Sequence, residues 1–322
     1  MIATTIGLLI LAGMATLFVS NGRAQAEIEK ANRQVENGRY GIEVLSSDLG
    51  NAGFYGELDP TGMADPGSLP EACATALASL REALALPVQG LDNPDASAAL
   101  PCLTDRKAGS DVLVVRRAET CLPGVGNCAA TASGGAFLQA STCSNLLELG
   151  SNDPTKWFDL DTDLTKLTRK GRDCSDDGAT GSPGTVRRYL VHIYYVASND
   201  NDGDGIPTLK RAELSTDGST LAFTVVPLVE GIQDMQLEYG SGNGVFSSSP
   251  ASVADWRKVV SVKMYLLARN LDQTFEYTDT KSYNLGISGT TANVVTAAND
   301  HYKRHVFQSQ VILRNPAGRI AP

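Results

Sequence analysis

Residues 1–56 decide the fold, and they read MIATTIGLLILAGMATLFVSNGRAQAEIEKANRQVENGRYGIEVLSSDLGNAGFYG. Residues 1–20 contain no charged side chain, and the first charge is Arg23. As a helix rising about 1.5 Å per residue, this uncharged run covers roughly 30 Å, the thickness of the hydrocarbon core of a bilayer. The run therefore predicts a membrane-spanning helix.

The helical pattern continues beyond this apolar run. Apolar residues recur there at helical spacing, namely Ala24, Ile28, Ala31, Val35, Ile42, Leu45 and Leu49. No proline occurs before Pro60, and Gly50, Gly53 and Gly56 supply a C-terminal stop. We therefore expect one helix of about fifty residues, apolar all round in its first half and amphipathic in its second half.

Two other interpretations of this segment stay open from composition. Ala24-Gln25-Ala26 has the A-x-A form that a signal peptidase cuts. Two features argue against a secretory signal peptide. No basic segment precedes the apolar run, and the run is longer than the 7 to about 15 residues usual in the apolar region of a signal peptide. A plain membrane anchor that leads into a stalk helix fits the same composition.

The residues after the helix predict a head rich in β-strands. Residues 57–110 are broken by proline and glycine, and Ser68 before Leu69-Pro70 is the start signal of one short helix. Alternation in residues 259–268 predicts an antiparallel strand with Val262, Met264 and Leu266 on the covered face and a wetter opposite face. Strand-like runs occur at 111–117, 136–140, 187–196, 221–226, 233–239, 259–268 and 305–313.

Six cysteines lie in this head, and none has C-x-x-C spacing: Cys73, Cys102, Cys121, Cys128, Cys143 and Cys174. An even number without zinc-type spacing predicts disulfides and an oxidising compartment. Pairing between neighbours, Cys73 with Cys102, Cys121 with Cys128 and Cys143 with Cys174, closes loops in loop-rich stretches and is the connectivity we favour. Reduced buried thiols are the alternative.

One acidic loop resembles a calcium loop in part. Asp200, Asp202 and Asp204 alternate along the chain, and Gly205 and the Ile206 carbonyl follow as they do in such loops. The expected closing glutamate is replaced by Arg211, and Glu213 comes two residues late. The sequence leaves two interpretations open: Ca²⁺ held by Asp200, Asp202, Asp204, Ile206 and Glu213, or an exposed acidic turn solvated by water.

Charge and composition argue against several functional classes. The chain has 27 Lys and Arg against 36 Asp and Glu, a formal net charge of −9, so nucleic-acid binding is not expected. His192, His301 and His305 are the histidines, and they form no H-E-x-x-H motif. Residues 240–244 and 286–289 lack the complete phosphate-loop and nucleophile-elbow patterns. We expect no enzymatic activity.

Several segments carry a family resemblance. The run GLLILAGMATLFVSNGRAQ (7–25) and then ENGRYGIEVLSSDLGNAGFYG (36–56) resemble the N-terminal helix of type IV pilus minor pilins of the PilW family, and they are similar to minor pseudopilins of type II secretion. The E-N-G-R-[YF] step and the A-G-[FY] ending are its most specific parts. Similar segments follow in the same order: DVLVVRRAETC (111–121), FLQASTC (137–143), GIPTLKRAEL (205–214), LVEGIQDMQLEYG (228–240), VVSVKMYLLARN (259–270) and VFQSQVILRN (306–315).

The resemblance implies a pilin-like α+β fold. Residues 1–56 would be the pilin helix, membrane-spanning in its first half, and residues 57–322 a mainly antiparallel β-sheet head with disulfide-bonded loops. In this family the apolar helices form the core of a filament. The residues expected to pack there, or in the membrane before assembly, are Ile2, Leu8, Leu9, Ile10, Leu11, Leu17, Phe18 and Val19.

The resemblance also implies partners and a location. The expected function is a minor pilin in pilus assembly, in a tip or priming complex with other minor pilins, the major pilin and a PilY-type tip adhesin. The chain would start in the bacterial inner membrane with its head in the periplasm, and then join the pilus on the cell surface. The alternatives are a minor pseudopilin of type II secretion and a membrane-anchored adhesin stiffened by calcium. The family's leader, a basic segment ending in Gly before an F-T-L-x-E-L-like start, is expected upstream of Met1.

Overall fold

The computed structural model describes residues 2–94, 99–175, 183–218, 220–242, 244–289 and 291–320. Its first element is one uninterrupted helix, α1 (Ile2–Asn51), of 50 residues. At about 1.5 Å per residue, α1 is about 75 Å long. Gly53 and Gly56, with φ of +70° and +64°, end it in the left-handed region that glycine adopts without strain. The expected long helix is confirmed.

The remaining elements form a head of antiparallel strands and two short helices. In chain order they are α2 (Leu77–Ala83), β1 (Val88–Leu91), β2 (Val112–Ala118), β3 (Ala136–Ala140), β4 (Phe158–Asp161), β5 (Val186–Ala197), β6 (Thr208–Asp217), β7 (Thr220–Glu230), β8 (Ile232–Gly240), β9 (Phe246–Ser247), β10 (Ser261–Arg269), β11 (Tyr283–Ser288), β12 (Thr291–Val295), β13 (Arg304–Ile312) and α3 (Arg314–Ile320). Helix α2 begins at Leu77, so the start expected at Ser68 is wrong. Residues before it follow an irregular path that includes the half-cystine Cys73.

The described strands form two sheets and a hairpin, with antiparallel pairing throughout. The first sheet is centred on the long strand β5, which pairs with β2 along one edge and with β3 and then β6 along the other. Strands β1, β4 and β7 extend it outward. The second sheet has the order β13-β10-β8-β9, and β11 pairs with β12 in a separate hairpin. The α+β class and the antiparallel head are therefore confirmed.

The second sheet supports α1. On the covered face of β10, Val262, Met264 and Leu266 are fully buried, as expected. Leu267, which the alternation assigned to a wetter face, is also fully buried. It packs with Tyr283 and Leu285 of the β11–β12 hairpin. The second sheet is thus covered on both faces in this part, because a hairpin distant in sequence closes over the side opposite α1.

Two clusters of buried apolar side chains hold the head together. One lies between the two sheets and under the end of α1, and it includes Leu45, Leu49, Tyr194, Met235 and Met264. The other covers the opposite face of the first sheet with residues of the 54–103 segment. That segment contributes Tyr55, Leu58, Leu80, Leu84 and Leu103. The described residues of this segment therefore pack on the first sheet.

Strand β13 runs beside α1 over most of the docked length of the helix. Glu27 Oε2 lies 2.8 Å from Lys303 Nζ before the strand, Gly38 lies against Phe307 within it, and Gly50 lies near Arg314 after it. Residues 27–50 as helix and residues 303–314 as strand each span about 35 Å. The helix and the strand therefore lie side by side and run in the same direction.

Two glycines allow α1 to approach the second sheet closely. A Cβ on Gly38 would lie 2.1 Å from a ring carbon of Phe307, and one on Gly41 would lie 3.0 Å from Leu266 Cδ1. Glycine inside a helix costs about 1 kcal/mol relative to alanine, so its presence here needs a packing reason. The close approach of β13 and β10 to the helix explains the two glycines in the segment ENGRYG (36–41).

We expect Gly38→Ala to lower the free energy of unfolding by about 1–3 kcal/mol, because the methyl group overpacks against Phe307. The better helix propensity of alanine offsets this by up to about 1 kcal/mol. Urea unfolding of the detergent-solubilised full chain measures the change. The control is Gly22→Ala, where no atom lies within 4 Å of the added Cβ. Equal stability of Gly38→Ala and Gly22→Ala would contradict the close approach.

Candidate functional site

The apolar half of α1 projects from the head and is uncovered. In the described part of the chain, α1 is the one helix long and apolar enough to cross a membrane, and none of its 18-residue apolar window is buried. Phe18, for example, exposes 80% of its surface. Of the predicted packing residues, those that the structure places on this exposed segment are Leu8, Leu9, Ile10, Leu11, Leu17, Phe18 and Val19. The side chain of Ile2 lies outside the described part.

The second half of α1 docks on the head through a face that the sequence did not predict. Gln34 Nε2 donates to the carbonyls of Ala268 and Lys303 at 2.9 and 2.8 Å, and Asn37 Nδ2 donates to the carbonyl of Glu230 at 3.0 Å. These carbonyls lie at strand ends, where backbone acceptors need partners. Polar amides therefore face the head along this stretch of the helix.

A stripe of apolar residues consequently faces outward. Ala24, Ile28, Ala31 and Val35 are exposed, although their periodicity had placed them on one face with Leu45 and Leu49. Leu45 and Leu49 are fully buried, so the expectation is right at the C-terminal end of α1 and wrong before it. The exposed stripe continues the apolar surface of the projecting half to Val35, about two-thirds of the way along the helix.

A buried carboxylate fastens the end of α1 to the first sheet. Asp48 Oδ1 accepts from Arg117 Nε of β2 at 2.6 Å. Its Oδ2 lies 2.7 Å from His192 Nδ1 and accepts from Tyr194 OH at 2.9 Å, both on β5. Burial, with the Asp48 carboxylate beside it, raises the pKa of Tyr194 well above its ordinary value. We call these four residues the Asp48 cluster. His192 has a structural role in it.

The Asp48 cluster was not predicted from the sequence. Its one local signal is a carboxylate between Leu45 and Leu49, on the side of the helix that the apolar residues mark as buried. Such a group needs opposite charge or hydrogen-bond donors, since burying an unpaired carboxylate is costly. Its partners come from β2 and β5, more than sixty residues along the chain.

All six cysteines are paired in the head. The disulfides join Cys73 with Cys102, Cys121 with Cys128, and Cys143 with Cys174. This is the connectivity that the sequence favoured, and it leaves no free thiol. Each bond closes a local loop in the part of the chain that holds the first strands of the first sheet.

The acidic loop does not gather the predicted calcium ligands. Asp204 accepts from the backbone N–H groups of Asp200, Asn201 and Ile206, and these bonds lower the pKa of its carboxyl. Glu213 lies on β6 and pairs with Arg211. Among the described residues, no three His, Cys, Asp or Glu side chains are grouped so that they could hold a metal.

Cations of the chain itself occupy part of this loop. Lys210 Nζ donates to the Asp200 carbonyl at 2.9 Å, and the Arg269 guanidinium donates to the Gly205 carbonyl. These contacts satisfy two carbonyl oxygens of the kind that Ca²⁺ binds. Calcium binding by Asp200, Asp202, Asp204, Ile206 and Glu213 remains a prediction, and it would require the loop to rearrange.

Comparison with known proteins identifies one family. Residues 193–315 match the family model PilW, type IV pilus-assembly protein W. Among solved structures, a type IV-like pilin from Thermus thermophilus is similar at 14% identity over 88% of this chain and 97% of that chain, with a TM-score of 0.39. No curated protein matches. The PilW resemblance is confirmed over residues 193–315.

Replacing Asp48 is expected to loosen the helix from the head. Asp48→Ala leaves Arg117 and His192 without their partner, and breaking such a buried ion pair costs about 3–5 kcal/mol. Thermal unfolding of the full chain in detergent measures this loss. Glu43→Ala, an exposed carboxylate on the same helix, is the matched control and should change stability by less than about 0.5 kcal/mol. Similar unfolding of both variants would refute a clamping role for Asp48.

Calcium is expected to leave the stability of the head unchanged, because Asp200, Asp204 and Glu213 already accept hydrogen bonds within the chain. A weak extracellular-type site, with Kd of about 10⁻⁴–10⁻³ M, would add about 1–2 kcal/mol at about 5 mM Ca²⁺. Without such a site, we expect the Tm of the protein in calcium to differ from its Tm in chelator by less than about 1 °C. A rise of several degrees that Asp204→Asn abolishes would show that the loop rearranges and binds the ion.

Proposed function

We propose that this chain is a type IV pilus-related pilin, and that it is a minor pilin that takes part in pilus assembly, in a tip or priming complex with other minor pilins. The observation that carries the proposal is the division of α1 into an uncovered apolar half and a firmly docked half. A helix with such a surface is stable in a bilayer or in a bundle of similar helices. When the subunit leaves the membrane and enters a filament, its helix passes from one apolar environment to another.

The exposed stripe on α1 supports packing against other pilin helices. Ala24, Ile28, Ala31 and Val35 lie at spacings of four, three and four, which keeps them on one side of a helix. They lie beyond the first charge, Arg23, so a bilayer does not cover most of this stripe. A second apolar helix of the assembly would cover it, and the small Ala24 and Ala31 would permit close approach.

The outer edge of β13 supports contact between heads. Leu313 N–H bonds to Val260 O, and Asn270 N–H bonds to Lys303 O. In the regular antiparallel ladder between these bonds, odd-numbered β13 residues bond to β10, and the N–H and C=O groups of Val306, Gln308 and Gln310 point outward. No bond to these outward groups occurs within the described part of the chain.

Most of this edge lacks the side chains that usually protect an edge strand from pairing with another strand. Residues 305–312, HVFQSQVI, contain no proline, lysine or acidic residue. An unprotected edge is a template for a strand from another chain. Strand β13 lies alongside α1 and runs in the same direction. A subunit whose helix packs on α1 would therefore bring its own head to this edge. We propose other minor pilins as the occupants, with the major pilin and a PilY-type tip adhesin as further partners of the complex.

The proposed location follows from the same features. The apolar half of α1 would hold the chain in the inner membrane before assembly, and three disulfides suit a head exposed to the oxidising periplasm and then to the cell surface. We propose no catalytic role. His192 is committed to the Asp48 cluster, and His301 Nδ1 contacts the Tyr277 carbonyl.

Deleting the gene is expected to abolish surface pili, and restoring it with its natural upstream start should return them. Shearing and electron microscopy count the pili, and the sheared fraction should contain a trace of this protein. Complementation with Gln308→Pro should fail, because its ring replaces an outward N–H without removing a bond to β10. Gln308→Thr is the matched control and should restore pili.

Three other results would contradict parts of this account. Full piliation by Gln308→Pro would exclude the β13 edge as a partner surface. Normal pili with a defect in secreted enzymes would identify a minor pseudopilin instead. Normal pili and normal secretion would leave a membrane-anchored adhesin.

A further inference from the structure

An exposed aromatic residue lies where α1 leaves the head. Phe275, in the connection between β10 and β11, exposes 71% of its surface. The Arg23 guanidinium carbon lies 5.1 Å from the centroid of the Phe275 ring, so the two side chains stack. Arg23 is also the first charged residue after the apolar run. Phe275 therefore lies at the level of the helix where apolar surface gives way to charge.

The Phe275 turn, residues 273–277, is fastened to α1. Thr274 Oγ1 donates to Glu27 Oε2 at 2.9 Å, and Lys30 Nζ donates to the Gln273 carbonyl at 2.8 Å. Lys303 Nζ pairs with the same Glu27 oxygen at 2.8 Å. These bonds hold the turn rigidly at one height along the helix, so the position of Phe275 relative to α1 is fixed.

The backbone of the turn is strained. Glu276 has a φ of +58°, in the left-handed region that costs a residue with a side chain of this kind about 1 kcal/mol or more. The neighbouring Tyr277 N–H bonds to the Thr274 carbonyl and closes a tight turn around Phe275. Strain of this kind persists where the surroundings impose it, and here it accompanies an aromatic ring directed away from the core.

The height of Phe275 matches the headgroup layer of a bilayer. Val19 is the last large apolar residue of the run, and Arg23 follows four residues later, about 6 Å farther along the helix. The headgroup region adds roughly 5–8 Å on each side of the hydrocarbon core. If Val19 lies at the edge of that core, Arg23 and the ring stacked on it lie within the headgroup region, where aromatic rings and arginine are favoured.

We propose that the Phe275 turn is a second membrane contact, which inserts its ring into the bilayer interface while α1 spans the membrane. Arg23 beside it lies within reach of lipid phosphates. The occupant we commit to is the lipid interface, because the ring adjoins the membrane-spanning segment and lies at headgroup height. The contact sets the tilt and the depth of the subunit in the membrane before assembly, and it must be released when the subunit leaves the membrane. This inference rests on the membrane anchoring proposed above.

Quenching by brominated lipids tests the contact. The full chain is reconstituted into phosphatidylcholine and phosphatidylglycerol vesicles whose lipids carry bromine near the top of the acyl chains. Phe275→Trp, Phe18→Trp and Leu146→Trp are compared, each after subtraction of the native Trp157 and Trp256 signal. Leu146, between β3 and β4, is 82% exposed and is the matched control. We expect Phe275→Trp to be quenched at least about twofold more than Leu146→Trp.

The three variants distinguish the failure of this inference from failure of the proposed function. Quenching of Phe18→Trp without quenching of Phe275→Trp would overturn the second contact and leave the anchoring intact. Absence of quenching in both would overturn the anchoring itself. An unquenched Phe275→Trp whose emission shifts to the blue in sheared pili would mean that a neighbouring subunit covers the ring instead of lipid. Circular dichroism verifies that each variant folds, and Phe275→Tyr should keep its place at the interface.

Discussion

The apolar surface on the first half of α1 is the constraint on which the rest of the structure depends. No described part of the head covers this surface, so it must be buried by lipid or by other helices. In the proposed assembly, the head has to move together with this apolar helix. The remaining features of α1 can be understood as a means of fixing the helix to the head.

The attachment uses three different interactions along one helix. Gly38 and Gly41 let the second sheet approach the helix backbone, and the amides of Gln34 and Asn37 bind strand-end carbonyls. Asp48 then joins the end of the helix to the first sheet. Because the Asp48 carboxylate receives three donors, its burial is compensated, and it fixes the end of α1 to the first sheet. These contacts join the second half of α1 to both sheets of the head.

Sequence patterns were sufficient for the parts of the fold that depend on local chemistry. The uncharged run, the absence of proline and the terminal glycines gave the length of α1, and alternation gave the strand at 259–268. Pairing between neighbouring cysteines was correct because each pair closes a local loop. The antiparallel architecture followed from the same strand patterns, although the short helix at Ser68 was placed too early.

Patterns failed where the outcome depends on partners distant in the chain. Periodicity shows that Ala24 to Val35 share a face, but it does not show which face meets the head, because strand-end carbonyls decide that. The Asp48 cluster depends on residues of β2 and β5, and the burial of Leu267 depends on a hairpin. In the acidic loop, Lys210 and Arg269 come from β-strands that the spacing of the aspartates does not reveal.

Crosslinking in assembled pili tests the central claim that another subunit covers the outward stripe of α1. A photoreactive benzoylphenylalanine at Val35, on the stripe, is compared with one at Gln34, which faces the head. The account predicts that Val35 in sheared pili yields a two-subunit product containing another pilin, whereas Gln34 yields only crosslinks within the chain. A Val35 position that crosslinks only to its own head, or to no pilin in the filament, would contradict the account.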